Sequence, residues 1–334
     1  MDELNIENDI ITKKKSNNIF VIIVLLFTLL LAGIFCFFLL DKKSKKDNES
    51  NKKEVITPLM YEITKEGSNN KIYLFGSMHM VNHDEFEYPN YVLDAYNNSD
   101  YVACEFDIVE YTENMNTMEM LADFMYADGS TIKDHISEET YNKMTTFLRD
   151  KYTYNENLDI YNLYFFETMV TQTVISNSKI ANGEAVDSYF LKKAKEDKKN
   201  ILEVESYDYQ LNLFLSLPDK YMEMEILELI DNYDEALKEL DDLYDAWKKG
   251  DAEKFIEDNE GNTKDYTEEE LKLYEEYNKK ILTDRNIGMT DKLISYFDNN
   301  YKTFYMVGAA HLVGDNGIAH LLEQKGYKVT RITK

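Results

Sequence analysis

Residues 19 to 40, IFVIIVLLFTLLLAGIFCFFLL, are 22 consecutive positions without a charge. At about 1.5 Å of rise per residue, a helix of that length crosses a hydrocarbon layer of roughly 30 Å. The pattern predicts one N-terminal transmembrane helix. Its end, Phe37-Phe38-Leu39-Leu40, lacks the small residues of a cleavage site, which favours an uncleaved anchor over a signal peptide. Cys36 stands two bulky residues after Gly33, a poor match to a lipidation signal. The chain divides into a tail over 1–18, the span over 19–40, a charged aperiodic linker over 41–56 and a folded body over 57–334. Lysines flank the span on both sides, at 13–15 and at 42, 43, 45 and 46, so the charge rule leaves orientation open. A short tail before a single span is the signal-anchor arrangement. The expected location is the cell membrane, single-pass, with the body extracellular and the bilayer contacted through 19–40.

In the body, short apolar runs alternate with helical periods. PLMYEIT and KIYLFG, separated by Gly67-Ser-Asn-Asn, read as two strands, and a helix over 89–98 leads into a strand over 100–108. From 114 to 200 the spacing is mainly helical, with helices through 171–180 and 186–194, and a strand follows at 198–208. The acid-rich stretch 218–282 is helical, with Met224, Leu227, Ile230, Tyr233 and Leu237 as one apolar stripe. It reads as a helical hairpin with a charged outer face, or else as a gate over a site. RNIGMTDKLISYF (helix), YKTFYMVG (strand), NGIAHLLEQKG (helix) and YKVTRI (strand) complete the order. Strands separated by helices predict an α/β fold, with α+β as the alternative, built on a mixed sheet with flanking helices.

A chain of 334 residues, 44% of them hydrophobic, can bury a sizeable core. The net charge of −26 excludes an ordinary nucleic-acid surface, because phosphate binding wants a basic face. Cys36 and Cys104 are the two cysteines, so no disulfide framework is predicted. Cys104 reads as a small buried residue.

Two strands end in the same way: Tyr73-Leu-Phe-Gly76-Ser-Met-His79 and Tyr305-Met-Val-Gly308-Ala-Ala-His311. A strand closing on glycine delivers the next side chains to its carboxyl end, the rim where ligands sit in open α/β sheets. Glycine there permits positive φ or close backbone approach. One such histidine is uninformative; two predict a paired-imidazole site at one rim. Glu105, in YVACEFD, is costly in an apolar strand unless paired, protonated or bound to a cation. It points either outward from an edge or inward. If inward, two imidazoles and a carboxylate suit a first-row divalent metal with open positions. Asp107 shares its strand face by the two-residue period. His83, four residues after His79, lacks the glutamate of HExxH, and His135 and His320 read as loop and helix-surface residues.

Taken in order, YLFGSMHMV, SDYVACEFD, AVDSYFLKKAKEDKKNILEVESYDYQL, AWKKGDAEKF, DRN and YMVGAAHLVGDNGIAHLLEQKGYKV make the chain, from about residue 60, resemble the TraB/PrgY/GumN family, which includes the Tiki-like membrane metalloproteases. The resemblance implies a site of His79, His311, Glu105 and Arg285, with Gly76 and Gly308 as motif glycines. It implies substrate or supporting roles for Asp187, Glu205 and Gln210. It also implies a divalent metal (Mn, Co or Zn) held by His79, His311 and Glu105, with Glu105 and Arg285 catalytic. Arg285 would steady an anionic intermediate or a substrate carboxylate. GSMH stands where the family usually has GTxH.

The resemblance supports two functions. One is a membrane-anchored, metal-dependent peptidase or related hydrolase acting on a peptide or protein. The other is a non-catalytic protein that sequesters a pheromone-like peptide.

Overall fold

β3 (Ile72–Ser77) and β7 (Thr303–Gly308) are apolar along almost their whole length, as strands covered on both faces must be. The computed structural model describes residues 53–333 except 152, 182, 262 and 265. The predicted span 19–40, the tail and most of the linker lie outside the described residues. Among the described residues no helix is long and apolar enough to cross a membrane.

β3 and β7 sit near the centre of a six-stranded sheet of order β6-β5-β7-β3-β2-β8. The other members are β2 (Met60–Thr64), β5 (Tyr101–Cys104), β6 (Asn200–Glu203) and β8 (Lys328–Arg331). β6, β5, β7 and β3 run parallel to one another, whereas β2 is antiparallel to both β3 and β8. The fold is therefore mixed α/β. A separate parallel pair, β1 (Glu54–Val55) with β4 (Phe86–Glu87), brings regular structure three residues ahead of Thr57.

Successive strand residues face opposite ways, and both faces are used. Phe75 and Phe304 stack at 5.2 Å and meet Phe190 of the helix Val186–Glu196, at 5.7 and 5.0 Å. On the other face, Tyr305 donates its hydroxyl to the Met289 carbonyl at 2.7 Å, and Tyr296 donates to Glu203 O at 2.9 Å. Both contacts belong to the helix Asp284–Asp298.

The acidic stretch is more than a hairpin. It forms helices Asp219–Asp231, Tyr233–Lys249, Ala252–Glu260 and Glu268–Asn278, the last running through a π-helical turn, Lys279–Thr283, into Asp284–Asp298. The expected stripe does not form one buried face. The chain breaks at Asn232, and Met224, Leu227, Ile230, Tyr233 and Leu237 are only half-buried. Tyr221, Met222, Glu225, Ile226 and Leu229 face inward instead. Trp247, fully buried, ties this block to the sheet by donating Nε1–H to the Gly76 carbonyl at 3.0 Å.

Two strands are shorter than their apolar runs. β5 ends at Cys104, so Glu105 is the first residue beyond the strand; β6 ends at Glu203, and Tyr207 opens a helix.

Candidate functional site

The four parallel strands all end on one rim, and the residues just past each end build the site. The register pairs Gly76 with Val307 and Ser77 with Gly308, so β3 and β7 release their chains at the same level. His79 comes two residues after β3. His311 lies in the short 3₁₀ turn Ala309–Leu312 directly after β7. β5 and β6 end in step, and the ladder continues past both: Val204 N–H reaches Cys104 O at 2.9 Å and Glu205 N–H reaches Glu105 O at 2.8 Å. Two carboxylates are thereby delivered side by side.

Arg285 joins them. Its Nε and Nη2 grip Glu205 through Oε1 at 2.9 Å and Oε2 at 2.8 Å, and Nη2 also donates to Glu105 Oε2 at 2.7 Å. Gln210, in the helix Tyr207–Leu215, donates its amide to Glu105 Oε2 at 2.9 Å and to Glu205 Oε2 at 2.7 Å. The π-helical turn ends one residue before the helix that carries Arg285, and Arg285 Nη1 donates back to Ile281 O at 3.4 Å. Such turns shift a helix's phase and recur at functional sites.

The glycines work by leaving room. Neither Gly76 nor Gly308 has positive φ. A Cβ on Gly76 would lie 3.0 Å from the Ala309 Cβ and 3.1 Å from its Cα, so Gly76 lets the turn carrying His311 press onto β3. Gly308 donates its N–H to Glu105 Oε1 at 2.9 Å. A Cβ there would stand 3.5 Å from His311 Cδ2, 3.6 Å from Glu105 Oε1 and 3.9 Å from His79 Nε2. The structure thus brings His79, His311 and Glu105 together around the bare Cα of Gly308, with Glu105 pointing inward.

Burial sets the charges. It opposes ionisation of Glu105, but the Arg285 guanidinium, the two histidines and the Gly308 N–H hold its carboxyl down at about 2. Burial lowers His79, and burial together with Arg285 lowers His311 to about 3. Both imidazoles are neutral at pH 7 and Glu105 is an anion. Asp187, in the first turn of its helix and 7% exposed, is pushed up to about 7 by burial and by the Glu105 charge. That helix is seated on the β3 exit by Val186 N–H to Met78 O at 3.0 Å.

His311 Nε2 and Glu105 Oε1 are 4.0 Å apart, wider than the roughly 3.3–3.4 Å edge of a tetrahedron with 2.0–2.1 Å bonds. Correspondingly, among the described residues no group of three or more His, Cys, Asp or Glu side chains is assembled around a metal position.

Other candidates lie elsewhere. Asp107 does not join Glu105 on a strand face: it is past the strand, caps the helix Ile108–Asn114 by accepting Glu110 N–H at 2.9 Å, and stands 3.5 Å from Lys195. His83 stacks on Tyr189 with centroids 4.9 Å apart. His135 stacks on Tyr126 at 3.8 Å, and His320 is a half-buried residue at the helix surface. Cys104 is buried, which raises its thiol well above the usual range. A cleft of about 690 Å³ runs along β6 between Lys195, Glu110 and Tyr207, beside this site rather than over it.

Sequence reasoning assigned no role to Asn286. Its Oδ1 lies 2.5 Å from His311 Nδ1, and its Nδ2 donates to Asn316 O at 2.8 Å. A signal existed: Asn286 lies three and seven residues before the inward-facing Met289 and Leu293. A polar residue on that stripe needs a buried partner.

Residues 59–331, most of the chain, match the sequence model of the TraB/PrgY/gumN family. No curated protein matches the chain, and no solved structure does.

Proposed function

The chain belongs to the TraB/PrgY/gumN family, and from that premise we propose that it is a membrane-anchored, metal-dependent peptidase or related hydrolase. The observation that carries the reading is the convergence at Gly308 of two buried neutral imidazoles and one carboxylate kept ionised by Arg285. These donors suit a divalent cation, because none has to lose a proton to bind it. His79 Nε2, His311 Nε2 and Glu105 Oε1 are the atoms that would hold it. When bound, such an ion polarises a carbonyl and makes bound water nucleophilic near neutral pH.

Arg285 and Gln210 have a different task. Both engage Glu105 Oε2, so Glu105 Oε1 is the carboxylate oxygen turned toward Gly308 and His311. Glu205, held bidentate, fixes the guanidinium that fixes Glu105. Asp187, near its midpoint at neutral pH, is the group suited to exchange a proton with a leaving amine.

The test is metal analysis of the purified full-length chain together with peptide turnover followed by mass spectrometry. Stoichiometric Mn, Co or Zn with metal-dependent cleavage is the expected result. Bound metal with no cleavage of any peptide in a diverse library would replace the hydrolase by the peptide-sequestering reading. Anchoring through 19–40 rests on the 22-residue apolar run, and the extracellular placement of the body is the signal-anchor orientation. Protease added to intact cells should remove the body, and a body digested only after lysis would reverse the orientation.

A further inference from the structure

We infer that Asn286 is a positioning residue that fixes the tautomer of His311, turning its Nε2 lone pair toward Glu105 and Gly308. The inference rests on the proposed site and adds a residue to it. A side-chain amide has one accepting and one donating end, and the tertiary structure decides which faces the histidine. Asn286 Nδ2 lies 2.8 Å from the Asn316 carbonyl, which only accepts, so the amide nitrogen must point there. Oδ1 therefore faces His311, and at 2.5 Å from Nδ1 it requires a proton on that nitrogen. Asn286 and His311 are each 1% exposed and the contact between Oδ1 and Nδ1 is buried, which shields that end from water. In a neutral imidazole, a proton on Nδ1 leaves Nε2 as the accepting nitrogen.

The alternative tautomer has an evident attraction. Glu105 Oε1 lies 4.0 Å from His311 Nε2 and would draw an Nε2–H toward itself, consuming both the lone pair and the carboxylate oxygen. Asn286 prevents that exchange. It does so without adding charge, which separates it from the carboxylate partners that often orient ligand histidines. One helix consequently serves both halves of the site through adjacent residues: Arg285 holds Glu105 and Asn286 holds His311. The position of Asn286 is itself supported by Thr290, whose hydroxyl donates to the Asn286 carbonyl at 2.7 Å.

The experiment is a long-range ¹⁵N–¹H correlation spectrum of the full-length chain, labelled at histidine nitrogens, stripped of metal and free of substrate, at pH 7. Signals of His311 are identified by their loss in His311→Gln. The wild type should show Nδ1 protonated and Nε2 bare. Asn286→Leu should move the pattern to Nε2–H or to a mixture of the two forms, while Asn286→Asp, which keeps an acceptor in place, should restore Nδ1–H. Thermal melts establish which variants fold, and if the leucine variant does not, the wild-type and Asp spectra decide. An Nε2–H wild type, a folded leucine variant indistinguishable from wild type, or an Asp variant without Nδ1–H would each overturn the assignment. No arm uses catalysis, so failure to find a cleaved peptide would count against the hydrolase and leave this result standing.

Discussion

Two buried carboxyl groups in this molecule meet opposite fates. Glu105, at the rim of the sheet, is 3% exposed, and Glu225, on the inward face of the helix Asp219–Asp231, is 1% exposed. Desolvation disfavours the charge on both. Around Glu105 stand the Arg285 guanidinium, the Gln210 amide and the Gly308 N–H, and its carboxyl is held down at about 2. Glu225 faces Tyr221 on its own helix and feels Glu167 from the buried helix Leu163–Ile175 and Glu228 nearby. Tyr266, Tyr274 and Tyr277 surround it from the chain that leads to Arg285. Burial pushes it well above the usual carboxylate range. What the pair teaches is that depth alone does not predict charge. The partners delivered by other elements do, and here they make one acid an ionised candidate ligand and leave the other, among acids and tyrosines, with its charge disfavoured.

The largest effect should come from removing the cation that separates the two. Arg285→Met leaves Glu105 and Glu205 as adjacent unpaired anions, and breaking a buried pair in this way costs about 3–5 kcal/mol. Urea unfolding should show that loss, and a variant within about 1 kcal/mol of wild type would mean that the guanidinium is not what keeps Glu105 charged.

Glu105→Gln keeps the shape and removes the charge. Cleavage of a confirmed peptide substrate should fall by about 10²–10⁴-fold with the fold intact. Full activity would leave Glu105 a structural group, no different in kind from Glu225.

Gly308→Ala probes the space between the three site side chains. The methyl contacts of 3.5–3.9 Å are ordinary, so the melting temperature should hardly move. The methyl would stand among His79, His311 and Glu105, and activity should drop at least about tenfold, the equivalent of about 1.4 kcal/mol in the barrier. An unfolded variant would show that the glycine serves packing rather than the site.

The two regions should also part in their pH dependence. Glu105 and His311 both have folded values below their ordinary ones, about 2 against 4.5 and about 3 against 6.5. The folded state there binds fewer protons than the unfolded one, so stability falls as pH drops through 6.5 toward 2. Glu225 has a raised folded value. Its contribution is complete below about pH 4.5, the ordinary glutamate range, and is lost as pH rises toward the folded value. His311→Gln should flatten the acid limb of a stability–pH curve. Glu225→Gln, the mildest of these changes at neutral pH, should flatten the alkaline limb instead. Identical curves for the two variants would erase the distinction.

The amino-acid sequence by itself determined the alternation of strands and helices, the mixed α/β class and the family. These depend on local periodicity and on motifs a few residues long, such as Gly76-x-x-His79 and Gly308-x-x-His311, which survive being read one stretch at a time. Strand ends were less legible: Glu105 continues an apolar run in the sequence but lies past the end of β5, although its carbonyl still accepts a ladder bond from Glu205. The tertiary structure alone decided that Gly76 and Gly308 provide room rather than positive φ. It also decided that Glu205 grips the guanidinium paired with Glu105, that Gln210 touches the Glu105 carboxylate itself, and that Asp107 and His83 stand apart. Contacts across 180 and 203 residues, Arg285 to Glu105 and Gly308 to Glu105, leave no local trace. Asn286 is the intermediate case. Its place on the buried stripe could be read from the helical period, but its partner is 25 residues away and its amide orientation depends on a carbonyl 30 residues away. A hydrogen bond's direction is fixed by the groups at both ends, and only the folded chain brings both ends together.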